Sequence, residues 1–323
     1  MEPEQGVACG IDVAKATLAV CVVRTVGKRK DREFKNTAQG HRKLVGWVKS
    51  LSGERAVHYC MEATGRYGTA LAKHLAAVGE VVTVSPPHRI KSYGVSRGVM
   101  NKNDKADAWV IAEFCRVMTP APWRPPQPEV EALTAMVRRL QDLEQERLRE
   151  HNRLKGPGQH REVQASTRRM LKAIEAESRR LRQTIDEHVG HHPRLAEDKA
   201  LLTTIPAVSD KTALRLMAEL PDARDGSTAK SAAALVGLYP VECSSGTTVH
   251  KRARMSKAGT SQLRQALYMP AVVAIRCNPR VRDLYERLRA RGLSKMAAIG
   301  AAMRKLLMIA FGILRTRKAF SAT

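Results

Sequence analysis

The N-terminal third of the chain switches repeatedly between two hydrophobic periods, and this limits it to a sheet flanked by helices. Val7–Asp12 and Thr17–Val23 are apolar, β-branched runs parted by a short turn, which predicts a hairpin; Arg32–Asn36 is expected to add a third strand. Leu44, Trp47, Val48 and Leu51 then recur at helical spacing. Ala56–Met61 reads as a buried strand ending at Glu62, Tyr67–Val78 as a helix, and Val81–Val84 as a strand stopped by Pro86 and Pro87. Beyond a basic loop, Lys105–Met118 returns to helix. Strand, strand, strand, helix, strand, helix, strand, helix is the order of an α/β domain with a mixed sheet.

The proline-rich run PAPWRPPQP at 120–128 predicts a stiff linker and a domain boundary. After it, Val130, Leu133, Val137 and Leu140 follow three-four spacing in a highly charged background. The spacing resumes beyond Gly156-Pro157-Gly158 at Met170, Ile174, Leu181 and Ile185. Two charged helices with narrow apolar seams read equally as an antiparallel coiled coil, an intersubunit coil or a solvated pair packed on its own domain. From Leu201 onward the pattern is largely helical, interrupted at Gly237-Leu238-Tyr239-Pro240 and Ser244-Ser245-Gly246. LLTTIPAVSDKTA at 201–213 has the form of a helix-hairpin-helix turn, whose helix N-terminus would face phosphate, or of an ordinary helix-helix turn.

Lys and Arg number 56 against 31 acidic residues, a formal charge of +25. Residues 1–128 hold 20 basic and 11 acidic residues, so the excess is spread along the chain and not confined to a tail. Such a balance calls for a polyanionic partner with a long footprint. Aromatic residues are only 4% of the chain, which disfavours base stacking as the main contact. The six cysteines show no CxxC and no paired Cys/His spacing, a reduced pattern without a disulfide frame or zinc knuckle. The N-terminus has no signal-peptide form and no run of about 18 apolar residues appears, so a soluble, cytoplasmic protein is expected.

Four carboxylates stand out by position. Asp12 closes the first strand in GIDVAK, Glu62 closes a later strand in CMEATGRYG, and Asp104 and Asp107 open a helix in KNDKADAW. The last two, spaced i and i+3, lie on one side of that helix, about 5–6 Å apart. Taken singly, each is an ordinary turn residue or helix cap. Together, at neighbouring strand ends beside a crossing helix, they would repel unless Mg2+ or Mn2+ sat among them, and oxygen ligands suit those ions. In the second half, Ser245 lies beside Gly246 and is followed by His250, Lys251, Arg252, Arg254 and Lys257. A polar turn on a basic surface explains these residues; stabilisation of phosphodiester charge would explain them as well.

The order of elements is that of an RNase H-like domain, and GIDVAK, MEATGRYG and KNDKADA resemble the catalytic blocks of DEDD-type insertion-sequence transposases, guide-RNA-directed recombinases with a RuvC-like domain. The resemblance covers essentially the whole chain. It puts Asp12, Glu62, Asp104 and Asp107 on the D-E-D-D positions, with Asn103 where Thr is expected. It implies a RuvC-like domain over 1–122, a linker and coiled-coil helices over 123–195, and a helical transposase domain over 196–323. There, the serine directly before glycine, Ser245, would be the nucleophile and form a covalent phosphoserine, with Ser244 as its neighbour. It further implies donor and target DNA, a structured guide (bridge) RNA, Mg2+, and a homo-oligomer of paired dimers with a composite site, in a bacterial, nucleoid-associated setting. Two other classes fit parts of the chain. A RuvC-like junction resolvase or nuclease uses only the four carboxylates; a non-catalytic basic scaffold binds nucleic acid without metal-dependent chemistry.

Overall fold

The computed structural model describes residues 6–322 except 26–27, 64, 100–102, 159, 221–227, 246–248 and 260, with the side chains at 25, 28, 66, 242–245 and 249–252 also outside the description. The chain divides into two units, Met1–Pro125 and Pro126–Thr323.

The first unit runs β1 (Val7–Val13), β2 (Thr17–Thr25), β3 (Lys28–Lys35), α1 (Ala38–Ser52), β4 (Val57–Glu62), a 3-10 turn (Gly65–Tyr67), α2 (Thr69–Ala77), β5 (Val81–Ser85), α3 (Pro87–Ser96) and α4 (Asp104–Met118). The strands form one sheet in the order β3-β2-β1-β4-β5. β1 pairs antiparallel with β2 and parallel with β4, and β4 parallel with β5, the mixed sheet of an RNase H-like domain. Strand alternation sends Val7, Cys9, Ile11, Tyr59, Met61 and Val82 to one face, against Leu44 and Val48 of α1 and Leu71 and Leu75 of α2. Ala8 and Cys60 point to the other, against Ile90 of α3 and Ile111, Phe114 and Cys115 of α4. Each fully buried aliphatic side chain of this kind contributes about 1.5–3 kcal/mol.

The segment expected as a basic loop is in fact α3. Pro87 occupies its first turn, where a missing N–H costs nothing, and only Ile90 and Gly94 are buried. Its basic residues lie on the exposed side, which hides the helical period. The proline-rich run is extended and covers the outer edge of β5: Trp123 N–H donates to Val82 O at 2.7 Å, and Thr83 Oγ1 donates to Ala121 O at 2.9 Å.

The second unit contains α5 (Pro128–Leu154), α6 (Arg161–His191), α7 (Pro193–Thr203), α8 (Asp210–Glu219), α9 (Ala229–Leu235), β6 (Pro240–Ser245), β7 (Val249–Met255), α10 (Ser261–Cys277), α11 (Pro279–Ala290) and α12 (Lys295–Thr316). α5 and α6 form an antiparallel hairpin. His188 near the end of α6 meets the Glu129 carbonyl at the start of α5 at 2.9 Å, and Arg182 reaches Glu144 at 3.5 Å. Leu133, Val137, Leu140, Ile185 and Val189 at its base share one core with Leu202, Leu216, Leu267 and Leu306. Leu148, Val163 and Met170, farther out, are exposed, so the seam expected at Met170 is not buried there. Lys211 and Arg215 of α8 also converge on Glu144, at 2.7 and 3.0 Å.

The β6–β7 hairpin is a strand pair that the helical reading of this half lacks; Ser244 and Ser245 are strand residues, paired with His250 and Val249, not a turn. α12 is, by length and composition, apolar enough to cross a membrane, although Arg304 and Lys305 interrupt its apolar run. Here it supplies Leu306, Leu307, Ala310 and Phe311 to the second core.

Candidate active site

Asp12 and Glu62 reach the same edge of the sheet because their strands are parallel and in register. Ile11 pairs with Met61, so the next residues, Asp12 and Glu62, stand abreast at the C-terminal ends of β1 and β4. Their predecessors on the same face, Gly10 and Cys60, lie under α4, which fixes the face as well as the edge.

α4 brings the other pair. Its C-terminal half lies over the start of the strands, where Cys115 Sγ donates to His58 O at 3.4 Å. Its middle lies over Gly10: a Cβ there would overlap the Ala108 carbonyl oxygen and the Ala112 amide nitrogen. The helix therefore runs antiparallel to β1, with its first turn above the strand ends, and that turn carries Asp104 and Asp107. The N-cap is Asn103, whose Oδ1 accepts from Ala106 N–H at 2.8 Å. Asp104 is thus not consumed as the cap and is exposed, while Asp107 is half-buried. The positive end of the helix dipole favours both carboxylates.

Burial, followed by the negative charges of Asp107, Asp104 and Glu62, pushes the Asp12 carboxyl up to about 6, against a smaller lowering by the Val13 backbone. The charges of Asp107, Asp104 and Glu62 thus reach Asp12 from two other chain segments. Among the described residues no three Asp, Glu, His or Cys side chains are drawn together as a ready-made metal cage. The donor set itself, hard oxygens in mutual repulsion, fits Mg2+ or Mn2+. Such ions polarise phosphodiesters and stabilise charge on the attacking and leaving oxygens.

The second unit places Ser245 as the last residue of β6, next to residues 246–248, which lie outside the described part; its side chain, and those of Ser244, His250, Lys251 and Arg252, also lie outside it. Arg254 and Lys257 are exposed, and Lys257 has a left-handed backbone with φ 56°. α7 and α8 are joined by a tight turn in which Ala207 takes φ 80°, a conformation ordinarily left to glycine. Cys9, Cys21, Cys60 and Cys115 are buried free thiols. One polar group at the carboxylate edge was not anticipated from the sequence: Ser85, the register partner of Glu62.

A mixed sheet with two carboxylates at parallel strand ends and a helix crossing it is an RNase H-like, RuvC-like α/β fold. Residues 9–156 match the transposase model of the DEDD IS110 type, and residues 199–286 match the transposase model of the IS116/IS110/IS902 family. The pilin gene-inverting proteins of Moraxella lacunata and Moraxella bovis are each 29% identical to this chain over 313 residues, 96% of either partner. An uncharacterized 43.6 kDa protein of insertion element IS110 from Streptomyces coelicolor is 30% identical over 145 residues, 45% of this chain and 35% of that protein. Thermus thermophilus RuvC aligns with a TM-score of 0.27 and 19% identity, over 36% of this chain and 99% of that one. The chain is a DEDD-type insertion-sequence transposase of the IS110 family. Its substrates are DNA and its chemistry is DNA cleavage and transfer.

Proposed function

We propose that this transposase excises and integrates an insertion sequence by cutting and rejoining DNA through a covalent phosphoserine at Ser245, with a divalent cation held by Asp12, Glu62, Asp104 and Asp107. The observation that carries the reading is that Asp12 on β1, raised first by its burial, also feels the charges of Asp107 and Asp104 on α4 and of Glu62 on β4. Relatives named for inverting a gene favour rejoining over hydrolysis, since inversion requires that every cut end be resealed.

In this reading the Ser245 Oγ forms a bond to phosphorus as one phosphorus–oxygen bond to deoxyribose breaks. The serine proton passes to a base and the released oxygen takes up a proton. A deoxyribose hydroxyl of the strand to be joined then attacks the phosphoserine, and Ser245 leaves as the alcohol, so the energy of the phosphodiester is kept. Lys251, Arg252, Arg254 and Lys257 follow Ser245 closely in the chain and are assigned to the phosphates around the cut. Recognition of donor and target DNA is assigned to a structured guide (bridge) RNA, and the working form to a homotetramer, a dimer of dimers.

The test is to mix the purified protein with Mg2+, its guide RNA and labelled element-end DNA and to quench under denaturing conditions. A protein–DNA adduct mapping to Ser245, absent in Ser245→Ala, is the expected result. Nicked ends without an adduct would instead assign cleavage to hydrolysis at the carboxylates, as in a RuvC-like nuclease. Light scattering of the full-length complex reads the assembly, and a monomeric mass would exclude the tetramer.

A further inference from the structure

The row of polar side chains at the C-terminal edge of the first sheet does not stop at Glu62. Ser85 ends β5 as the direct register partner of Glu62, and register partners in parallel strands point to the same face. The Ala63 amide donates to the Ser85 carbonyl at 2.9 Å, which clamps the two strand ends together just past the carboxylate.

Ser85 is only 1% exposed, and its Oγ has no hydrogen-bond partner among the described residues. A buried, unpaired hydroxyl costs about 1–3 kcal/mol, so packing alone would favour alanine here. The preceding β5 hydroxyl on this face behaves differently. Thr83 Oγ1 donates to Ala121 O at 2.9 Å and accepts from His58 Nε2 of β4 at 2.8 Å, a bond across the same two strands. Burial keeps His58 below its ordinary pKa and so neutral. A β5 hydroxyl on this face thus reaches a β4 side chain, there the one two residues before its register partner, and strands about 4.8 Å apart set the Glu62 side chain beside Ser85.

We infer that Ser85 is a positioning residue of the carboxylate site, its hydroxyl donating to Glu62 and holding that carboxylate in the orientation that ligates a divalent cation. The inference rests on the metal reading of the four carboxylates. Carboxylates that bind metals are ordinarily fixed by such outer partners, whose removal weakens the metal by about tenfold or more.

The experiment titrates the full-length protein with Mn2+ alone, without nucleic acid, following water proton relaxation and thermal unfolding in parallel. Ser85→Ala, close to serine in volume, and Ser85→Cys, a weaker donor, are compared with wild type and with Asp12→Asn. The expected result is a Mn2+ dissociation constant raised about tenfold in both serine variants, with a metal-free melting temperature equal to or above that of wild type. Wild-type Mn2+ affinity in both serine variants, with affinity lost in Asp12→Asn, would overturn the role of Ser85 and leave the metal site standing. No saturable Mn2+ binding in wild type would overturn the metal site itself, and the serine inference with it.

Discussion

Asp12 and Glu62 stand side by side because Ile11 and Met61, one residue earlier, are register partners in parallel strands. Fifty positions of sequence separate the two carboxylates, yet a single pairing register sets their distance and face. Asp104 and Asp107 then arrive over them from the first turn of α4.

The burial of Asp12, and after it the negative charges around it, have a measurable cost. The folded pKa of Asp12, about 6, lies above its unfolded value of 3.8, so the folded state holds this proton more tightly. Its contribution to stability is therefore greatest below pH 4, is lost as the pH rises through 6, and leaves a net penalty at neutral pH. In metal-free buffer at pH 7.5, Asp12→Asn is expected to raise the melting temperature by a few degrees, with the gain absent at pH 4. Mg2+ should stabilise the wild type at pH 7.5 but not this variant, and recombination should be abolished. A melting temperature lowered by Asp12→Asn would contradict this cost of holding the charged carboxylate.

Gly10 is where α4 touches the sheet. A methyl group there meets backbone, not a yielding side chain, so Gly10→Ala must lift α4 or fail to fold. Overpacking of this kind costs about 3 kcal/mol or more. Urea unfolding of the first unit should show it, and Mn2+ binding should fall as Asp104 and Asp107 move away. Unchanged stability would mean that α4 does not rest on β1.

The turn between α7 and α8 stores backbone strain at Ala207, φ 80°. A left-handed L-residue costs about 1–2 kcal/mol, partly offset in glycine by its greater unfolded freedom. Ala207→Gly should stabilise the protein by about 0.5–1 kcal/mol in denaturant titration. A destabilised variant would show that the methyl group makes a contact worth more than the strain.

With a charge of +25, DNA affinity should fall steeply with salt. If Arg254 and Lys257 bind phosphates, replacing each with alanine should weaken duplex binding irrespective of sequence. Each replacement should also reduce the slope of log affinity against log salt by about 1. Unchanged slopes would return both residues to plain solvated surface.

The strands and most helices of the first unit were legible because their period is local. Short apolar, β-branched runs mark β1, β2 and β4, and Asp104 and Asp107 share a helix face by spacing alone. α3 was not legible, since only Ile90 and Gly94 of its ten residues are buried and its basic side chains mask the period. The β6–β7 hairpin was missed for a related reason: most of its residues are polar or basic, so no apolar alternation betrays a strand.

What the sequence determined by itself was the inventory: a mixed α/β domain, four carboxylates at element ends, a strongly basic chain and a serine beside glycine. The tertiary structure decided how that inventory is brought together. The parallel register puts Glu62 between Asp12 and the buried Ser85, and contact with Gly10 lays α4 across the strands, its first turn above their ends. These relationships join residues dozens of positions apart. They depend on which strands pair and which helix covers them, which a local hydrophobic period does not encode.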